Sequence, residues 1–281
     1  MIDPAAVKTG IDLFDALVLG LVEGLTEFLP ISSTGHLLVA RSLLGLQASP
    51  LNNVFLIGIQ MGAITAILAL YWRRLLAAAG TVLRPTAGAP NLLLQIAIAA
   101  APAALLGLKC GNWIDANLFT PRVVAATMIG GGFLLVGLEW WEKRRTTAPL
   151  ELEQMRYRTA LWIGLFQCLA LVPGTSRSAA MIGGALVLGL SRTAAAEFSF
   201  LVGLPILFGA SGYRLLTLKE QLSPEFVGPL LVGTLVAFLS ALVVVRPFVR
   251  FLRHHTFMPF AWYRLVGGVM LAVLCWEQVI E

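Results

Sequence analysis

The sequence predicts an all-α polytopic membrane protein with an inverted-topology repeat, each half being one re-entrant helical hairpin plus three transmembrane helices. Three observations carry this prediction. Of 281 residues, 58% are hydrophobic and 12% charged, with a mean hydropathy of +0.84, whereas a soluble domain is about a quarter charged. Six apolar segments of ~20 residues recur along the chain, each ~30 Å long as helix and matched to the hydrocarbon layer. Two further apolar stretches are interrupted by proline, glycine and hydroxyl residues. A soluble globular enzyme is excluded, and the net charge of +5 reads as loop lysines and arginines rather than a nucleic-acid surface. The chain 1–281 is expected to form a single integral membrane domain: repeat 1 over about 11–141, a linker over about 142–156, and repeat 2 over about 157–280.

The first broken stretch, 11–45, is interrupted at Leu29-Pro30-Ile31-Ser32-Ser33-Thr34-Gly35-His36. Its 33–45 arm is too short to cross, while the 11–29 arm has length enough to do so. Spans follow at 53–72, 91–110 and 122–141. The second broken stretch, 157–191, is interrupted at Val172-Pro173-Gly174-Thr175-Ser176-Arg177-Ser178, and neither of its arms can cross. Spans follow at 195–217, 226–246 and 259–280. Both broken stretches read as re-entrant hairpins, whose polar tips lipid tolerates only where protein or water lines them. Tyr71-Trp72, Trp140-Trp141 and Trp262-Tyr263 read as interfacial belts. Cys110, Cys168 and Cys275 have no pairing or ligand spacing and read as small core residues. Asp12, Asp15 and Glu23 interrupt the first apolar run, so no cleavable signal is expected.

The halves resemble each other in order. Gly20-Leu21-Val22-Glu23-Gly24-Leu25 aligns with Gly164-Leu165-Phe166-Gln167-Cys168-Leu169, Phe55-Leu56-Ile57-Gly58-Ile59 with Phe200-Leu201-Val202-Gly203-Leu204, and Phe119-Thr120-Pro121 with Phe257-Met258-Pro259. An odd number of crossings per half makes the second copy enter from the opposite side. Such repeats place the functional site near the midplane, where the broken helices meet. On this topology Arg73, Arg74, Arg84, Lys143, Arg144, Arg145, Arg156, Arg158, Arg246, Arg250 and Arg253 share one side, against Lys8, Lys109, Arg122, Arg214 and Lys219. Eleven against five puts the first group in the cytoplasm and both termini outside. Glu142-Lys143-Arg144-Arg145 then reads as a solvated linker.

The chemistry lies in the breaks. On a helix over 11–29, Asp12, Asp15, Glu23, Thr26 and Glu27 share one face, and a polar stripe there must look into protein or water. Glu23 and Glu27 stand one turn apart and call for a cation, a proton or an arginine. Ser33 and His36, three residues apart after the Pro30 break, are within reach of nucleophile–base geometry. At the second break a helix start offers free N–H groups to an anion, and Arg177 adds a planar fork matched to phosphate oxygens. One pocket with anion-binding helix ends, a hydroxyl, an arginine and two carboxylates suits phosphoryl transfer better than ion conduction.

Glu23-Gly24-Leu25-Thr26-Glu27-Phe28-Leu29-Pro30-Ile31-Ser32-Ser33-Thr34-Gly35-His36 closely resembles the first signature of the bacterial undecaprenyl-pyrophosphate phosphatase family, also called the bacitracin-resistance family. Pro173-Gly174-Thr175-Ser176-Arg177-Ser178 is similar to its second signature. Further segments, among them Phe257-Met258-Pro259-Phe260 with Tyr263-Arg264, extend the resemblance over about 11–278. The resemblance implies hydrolysis of undecaprenyl pyrophosphate to undecaprenyl phosphate and inorganic phosphate. It also implies the inverted-repeat fold, dependence on a divalent cation such as Mg2+ or Ca2+, residence in the bacterial inner membrane and a site open to the outer face. One departure stands out: the family's second motif continues Gly-Ala-Thr, whereas this chain has Ala179-Ala180-Met181.

Resemblance and chemistry together give roles. Ser33 is the expected nucleophile, with an activated water as the alternative. His36 is the expected general base or acid, and Arg177 the pyrophosphate clamp. Glu23 and Glu27 are expected to hold the metal or to orient His36 and the attacking water. Ser32, Thr34, Gly174, Thr175, Ser176, Ser178 and Gln167 are expected to bind substrate. The expected partners are a polyprenyl pyrophosphate lipid and membrane lipids, with no nucleic acid and with a homodimer left open. A lipid-phosphate carrier or flippase would use the same anion pocket without hydrolysis, and a membrane assembly protein would use polar residues to fix helix packing alone. Phosphatidic-acid-type lipid phosphatases do not fit, since no histidine follows Ser176-Arg177 until His254.

Overall fold

The computed structural model describes residues 8, 10–47, 49–83, 90–217 and 224–280. These build ten α-helices: α1 (Leu13–Thr26), α2 (Ser33–Leu43), α3 (Pro50–Leu83), α4 (Leu92–Asn117), α5 (Pro121–Glu142), α6 (Tyr157–Gln167), α7 (Arg177–Val187), α8 (Arg192–Thr217), α9 (Pro224–Leu252) and α10 (Met258–Trp276). Short 3-10 turns lie at Leu152–Gln154 and Cys168–Leu171. Helices α3, α4, α5, α8, α9 and α10 are long and apolar enough to cross a membrane, so the protein is a polytopic membrane protein.

The remaining four helices form the two broken hairpins. Helix α1 has 14 residues, or ~21 Å, too short for a ~30 Å layer, so the first arm does not cross on its own. Helices α2 and α7 have 11 residues each. The hairpins are built alike in detail. Ser32 and Ser176 cap α2 and α7 with φ of 72° and 70°, a conformation that L-residues with a side chain rarely adopt. Gly45 and Gly189 follow the two helices with φ of 70° and 100°. Each hairpin then closes with an isolated parallel bridge, Lys8 with Leu46 and Leu150 with Leu190.

Packing follows the same pattern: α1 lies on α9 as α6 lies on α4, α5 pairs with α10, and α3 with α8. The α1–α9 contact depends on small residues, which let backbones approach in lipid. A Cβ on Gly24 would run into the Ala237 carbonyl and the Ser240 hydroxyl, and one on Gly20 into the Gly233 backbone. Large apolar side chains such as Leu108, Leu134, Val243 and Met270 face outward, while Glu23, Glu27, Glu139, Gln167 and Arg264 are buried. Polar inside and apolar outside is the arrangement lipid requires.

Several expectations need correction. Helix α3 continues past Tyr71-Trp72 to Leu83 and α9 past residue 246 to Leu252. Leu75 to Ala79 are good helix formers, and Arg74 anchors the extension by pairing with Glu197 at 2.7 Å and with Glu153. Asp12 and Asp15 do not belong to the functional stripe. They form a capping box at the start of α1 and bind Lys8 at 3.0 and 3.2 Å. The linker is not wholly solvated: Arg145 pairs with Glu142 at 2.9 Å and donates to the Gly189 carbonyl at 2.6 Å, because the end of α7 leaves that oxygen without a helical partner. Lys143 and Arg144 do face outward, Arg144 lying over the Trp140 ring. Cys110 is exposed and Cys168 half-buried, leaving Cys275 as the core cysteine. Of the residues used for orientation, Arg84 and Lys219 lie outside the described residues.

The α1–α9 packing makes a prediction. Gly24→Leu overfills a contact with no slack and should cost about 1–3 kcal/mol, read as a lower thermal midpoint in detergent. Gly137→Leu, with nothing within 4 Å of its Cβ, should leave the midpoint unchanged or raise it.

Candidate active site at the two hairpin tips

The tips meet inside the bundle. Helix α1 ends at Thr26 and is capped by Glu27, whose N–H still bonds the Glu23 carbonyl at 2.9 Å, and Pro30 then prevents continuation. The chain re-enters helix at Ser33 after the Ser32 cap. At the second tip Gly174 takes φ 85°, and a Cβ there would run into the backbone of Val124. No other residue fits that turn. The Ser178 hydroxyl, wholly buried, donates to the Leu29 carbonyl of the first tip at 2.9 Å. Its acceptor side takes the Ser176 hydroxyl at 2.9 Å.

Arg264 of α10 is the second fastener. Its guanidinium is fully buried and donates to carbonyls from both tips and from α5: Pro30 at 3.3 Å, Gly174 at 3.2 Å, Thr127 at 3.0 Å and Met128 at 3.3 Å. The Pro30 and Gly174 oxygens are ones that a broken helix strands, whereas those of Thr127 and Met128 lie within the continuous α5, and a five-donor fork reaches all four. Thr127 adds a hydrogen bond from its hydroxyl to the Pro173 carbonyl at 2.7 Å.

Across the junction runs a chain of three side chains. Ser33 Oγ donates to Glu27 Oε2 at 2.6 Å, and Glu27 Oε1 accepts from Arg177 Nη2 at 3.1 Å. Arg177 Nη1 also donates to the Ser199 carbonyl of α8 at 2.8 Å. Gly203, one turn on, leaves the room this requires, since a Cβ there would lie 2.7 Å from Arg177 Cζ. Glu27, Ser33 and Arg177, with Thr34, Gly174, Ser176 and Gln167, line a cavity of about 200 Å³ whose other wall is apolar, including Ala103, Leu171, Ile206 and Leu207. The first turns of α2 and α7 begin at this cavity, so their free N–H groups and dipoles favour an anion there.

Buried polar atoms without a partner gather around the same place. Among the described residues they are both carboxylate oxygens of Glu23, both amide atoms of Gln167, Arg177 Nε, Ser199 Oγ and, elsewhere, Asn52 Oδ1. Native proteins leave few such groups unsatisfied, and then usually for function. The described residues hold no cluster of three or more His, Cys, Asp or Glu side chains, so no all-protein metal cage exists there. Both Glu27 oxygens are taken by Ser33 and Arg177, so the free carboxylate oxygens of Glu23 are the ones whose chemistry fits a hard cation.

Seven of the expected site residues thus share the cavity, and five do not line it. His36 is the main difference. Its Nδ1 donates to the Ser32 carbonyl at 2.7 Å and its Nε2 meets the Tyr263 hydroxyl at 2.7 Å, in an apolar groove between α2 and α10. In the neutral ring Nε2 accepts from Tyr263. The hydroxyl of Ser33 therefore bonds Glu27 and not His36, because the α2 start aims it back across the break. Tyr263, half exposed, is also a partner of the tip through its hydroxyl. Ser32 and Ser178 are spent on capping and fastening. Thr175 contributes a turn hydrogen bond through its N–H, and Glu23 lies behind Glu27. Met181 is fully buried in the apolar core, so the departure from the family pattern lies away from the cavity. Sequence reasoning missed Arg264 as a fastener and Gln60 of α3 as a cavity residue. Both are polar residues inside an apolar span, the signal that marks function in lipid.

Residues 16–270 match the family model described as bacitracin resistance protein BacA. Among curated relatives, the chain is 44% identical over 274 residues to an undecaprenyl-diphosphatase of Polaromonas sp. (strain JS666), covering 95% of this chain and 97% of that protein. It is 45% identical over 272 residues to an undecaprenyl-diphosphatase of Acidovorax ebreus, with the same coverage. It is 46% identical over 273 residues to undecaprenyl-diphosphatase 2 of Rhodospirillum rubrum, covering 96% and 97%.

The Arg264 network predicts that Arg264→Lys destabilises the protein even though the charge is kept. One ammonium cannot reach carbonyls of both tips and of α5, and each buried carbonyl left bare costs about 1–3 kcal/mol. A markedly lower thermal midpoint is expected, and an unchanged one would remove the network from its fastening role.

Proposed function

The chain belongs to the bacitracin resistance protein BacA family, and from that premise we propose that it hydrolyses undecaprenyl pyrophosphate to undecaprenyl phosphate and inorganic phosphate. The observation that carries the reading is the Ser33–Glu27–Arg177 chain, which joins a nucleophile, a proton acceptor and an anion clamp across the two tips. The reaction recycles the carrier lipid of envelope polymers, and with it resistance to bacitracin. The carrier reading lacks support: relatives covering nearly the whole chain are named diphosphatases, and transport needs no hydroxyl aimed at a carboxylate.

The terminal phosphate enters the cavity against Arg177 and the N–H groups that open α2 and α7. Ser33 Oγ attacks the terminal phosphorus in line, its proton passes to Glu27, and the bond to the bridging oxygen breaks to release undecaprenyl phosphate. Glu27 passes that proton to the leaving bridging oxygen; water then attacks the phosphoryl-serine, its proton goes to the freed Glu27 carboxylate and on to Ser33 Oγ, and inorganic phosphate leaves. Arg177 and the helix ends hold the charge that builds on the equatorial oxygens. Thr34 and Ser176 orient those oxygens, and Gln167 offers an amide without charge. His36 grips the Ser32 carbonyl and so keeps the first tip in register. A divalent cation held at the free oxygens of Glu23 would supply positive charge beside the pyrophosphate. The first isoprene units lie along Ala103, Ile206 and Leu207, which need make no polar contact.

The two hairpins, alike in build, enter the inner membrane from opposite faces as an inverted repeat, and residues 1–281 act as one unit. The basic residues gather at one end: Arg74, Arg145, Arg246, Arg250 and Arg253 lie around neighbouring grooves there. That end is cytoplasmic by the positive-inside rule, the termini are external, and the site opens outward. Cysteines placed at 143 and 117 report the topology. Membrane-impermeant reagent on intact cells should label position 117 and spare position 143, and the opposite pattern would invert the protein.

Purified protein in detergent, where transport has no meaning, should release inorganic phosphate from a prenyl pyrophosphate. Ser33→Ala and Glu27→Gln should each lose several orders of magnitude in kcat, and Arg177→Lys most of the activity, because a point charge cannot replace the fork. Acid quenching with terminally labelled substrate should trap label on Ser33. Substantial turnover by Ser33→Ala would move the attack to a water.

A further inference from the structure

At the basic end of the bundle, away from the tips, α9 carries Arg246 and Arg250 one turn apart, and Arg253 follows in the turn just after its end. All three are exposed, and among the described residues none closes on a carboxylate. Their neighbours behave differently: Arg74 pairs with Glu197, Arg145 with Glu142 and Arg192 with Glu139. Three guanidiniums a turn apart repel one another, so this face is short of negative charge. The arginines border a groove of about 270 Å³ walled by Leu70, Tyr71, Val245 and Val249 of α3 and α9 and by Glu197 of α8, whose carboxylate is already neutralised by Arg74. Tyr71-Trp72 marks the membrane–water boundary at the same level.

We propose that this groove binds an anionic phospholipid, its phosphodiester on Arg246, Arg250 and Arg253 and its acyl chains on the lipid face of α9. The second half of the assignment rests on a separate observation. Leu231, Leu235, Leu239 and Val243 recur every fourth residue along α9, all exposed, and lead up to Arg246 and Arg250. A cationic head site continued by an aliphatic stripe fits an amphiphile, whereas free phosphate would gain nothing from the stripe. Basic pockets between helices at the membrane boundary recognise such headgroups in general. The bound lipid bridges α9 to α3. Because α1 packs on α9 through Gly20 and Gly24, it also braces the first hairpin from outside.

The test uses the full chain in a neutral detergent, titrated with phosphatidylglycerol, with phosphatidylcholine, and with inorganic phosphate, reading bound lipid by native mass spectrometry and the thermal midpoint. Phosphatidylglycerol should bind and raise the midpoint, with phosphatidylcholine and inorganic phosphate at equal concentration giving little. The triple variant Arg246→Gln, Arg250→Gln, Arg253→Gln should bind phosphatidylglycerol about two orders of magnitude more weakly. Lys143→Gln with Arg156→Gln and Arg158→Gln removes the same charge elsewhere at this end and should bind as the unaltered chain does. Equal binding of phosphatidylcholine, an equal shift with inorganic phosphate, or equal weakening in both variants would overturn the proposal. If the triple variant does not fold, Arg250→Gln alone and the comparison of ligands on the unaltered chain decide it.

Discussion

A helix broken inside an apolar layer must find every lost backbone partner within the protein. Here two breaks solve the problem jointly. Arg264 collects carbonyls from both tips and from α5, Ser178 reaches from one tip to the Leu29 carbonyl of the other, and Thr127 holds Pro173. Neither tip could sit at this depth alone. The close approach of α1 to α9 and of α6 to α4, made through glycines, brings the tips into reach of one another. The glycine spacing of the outer contacts is thus a condition for the polar junction within.

Buried charge is divided between two tasks. Arg264 touches only carbonyl oxygens, those of Pro30 and Gly174 being ones that the breaks leave stranded, and so acts as a structural tie between the tips and α5. Arg177 is less completely engaged: it holds Glu27 and the Ser199 carbonyl, and its Nε has no protein partner. Glu27 in turn spends one oxygen on Arg177 and the other on Ser33. The atoms without protein partners cluster beside this chain rather than scattering through the core. A site poised for a highly charged substrate is expected to look like this, satisfied in its scaffold and unsatisfied where the ligand makes contact.

Similar hairpins carry unlike residues. Each has a serine cap at positive φ, an 11-residue helix and a closing glycine. At matched positions, however, the first hairpin has Ser33 where the second has Arg177, and Glu23 where the second has Gln167. The local geometry is repeated and the chemistry is split, one tip offering hydroxyl and carboxylates, the other an arginine. Two identical tips would have paired like charges across the junction at high cost in a low-dielectric setting.

Much of the architecture was legible in the sequence, because lipid imposes a one-dimensional rule. A span needs about 20 apolar residues, and a Pro-rich interruption in a shorter run cannot cross, so the six spans and two breaks follow from a linear pattern. The tip residues were legible for the same reason: Glu23, Glu27, Arg177 and the serines are polar where polarity is expensive. Which of those groups meet was decided by tertiary structure. Spacing put Ser33 beside His36, yet the backbone at Ser32 turns the hydroxyl toward Glu27 and leaves His36 to Tyr263, a residue 227 positions away. Arg264 likewise carried no local motif to mark it as the tie between the tips. Linear spacing reports neighbours on one helix, whereas a junction between two broken helices is set by how α1 and α6 dock on α9 and α4. No periodicity within either hairpin encodes that docking.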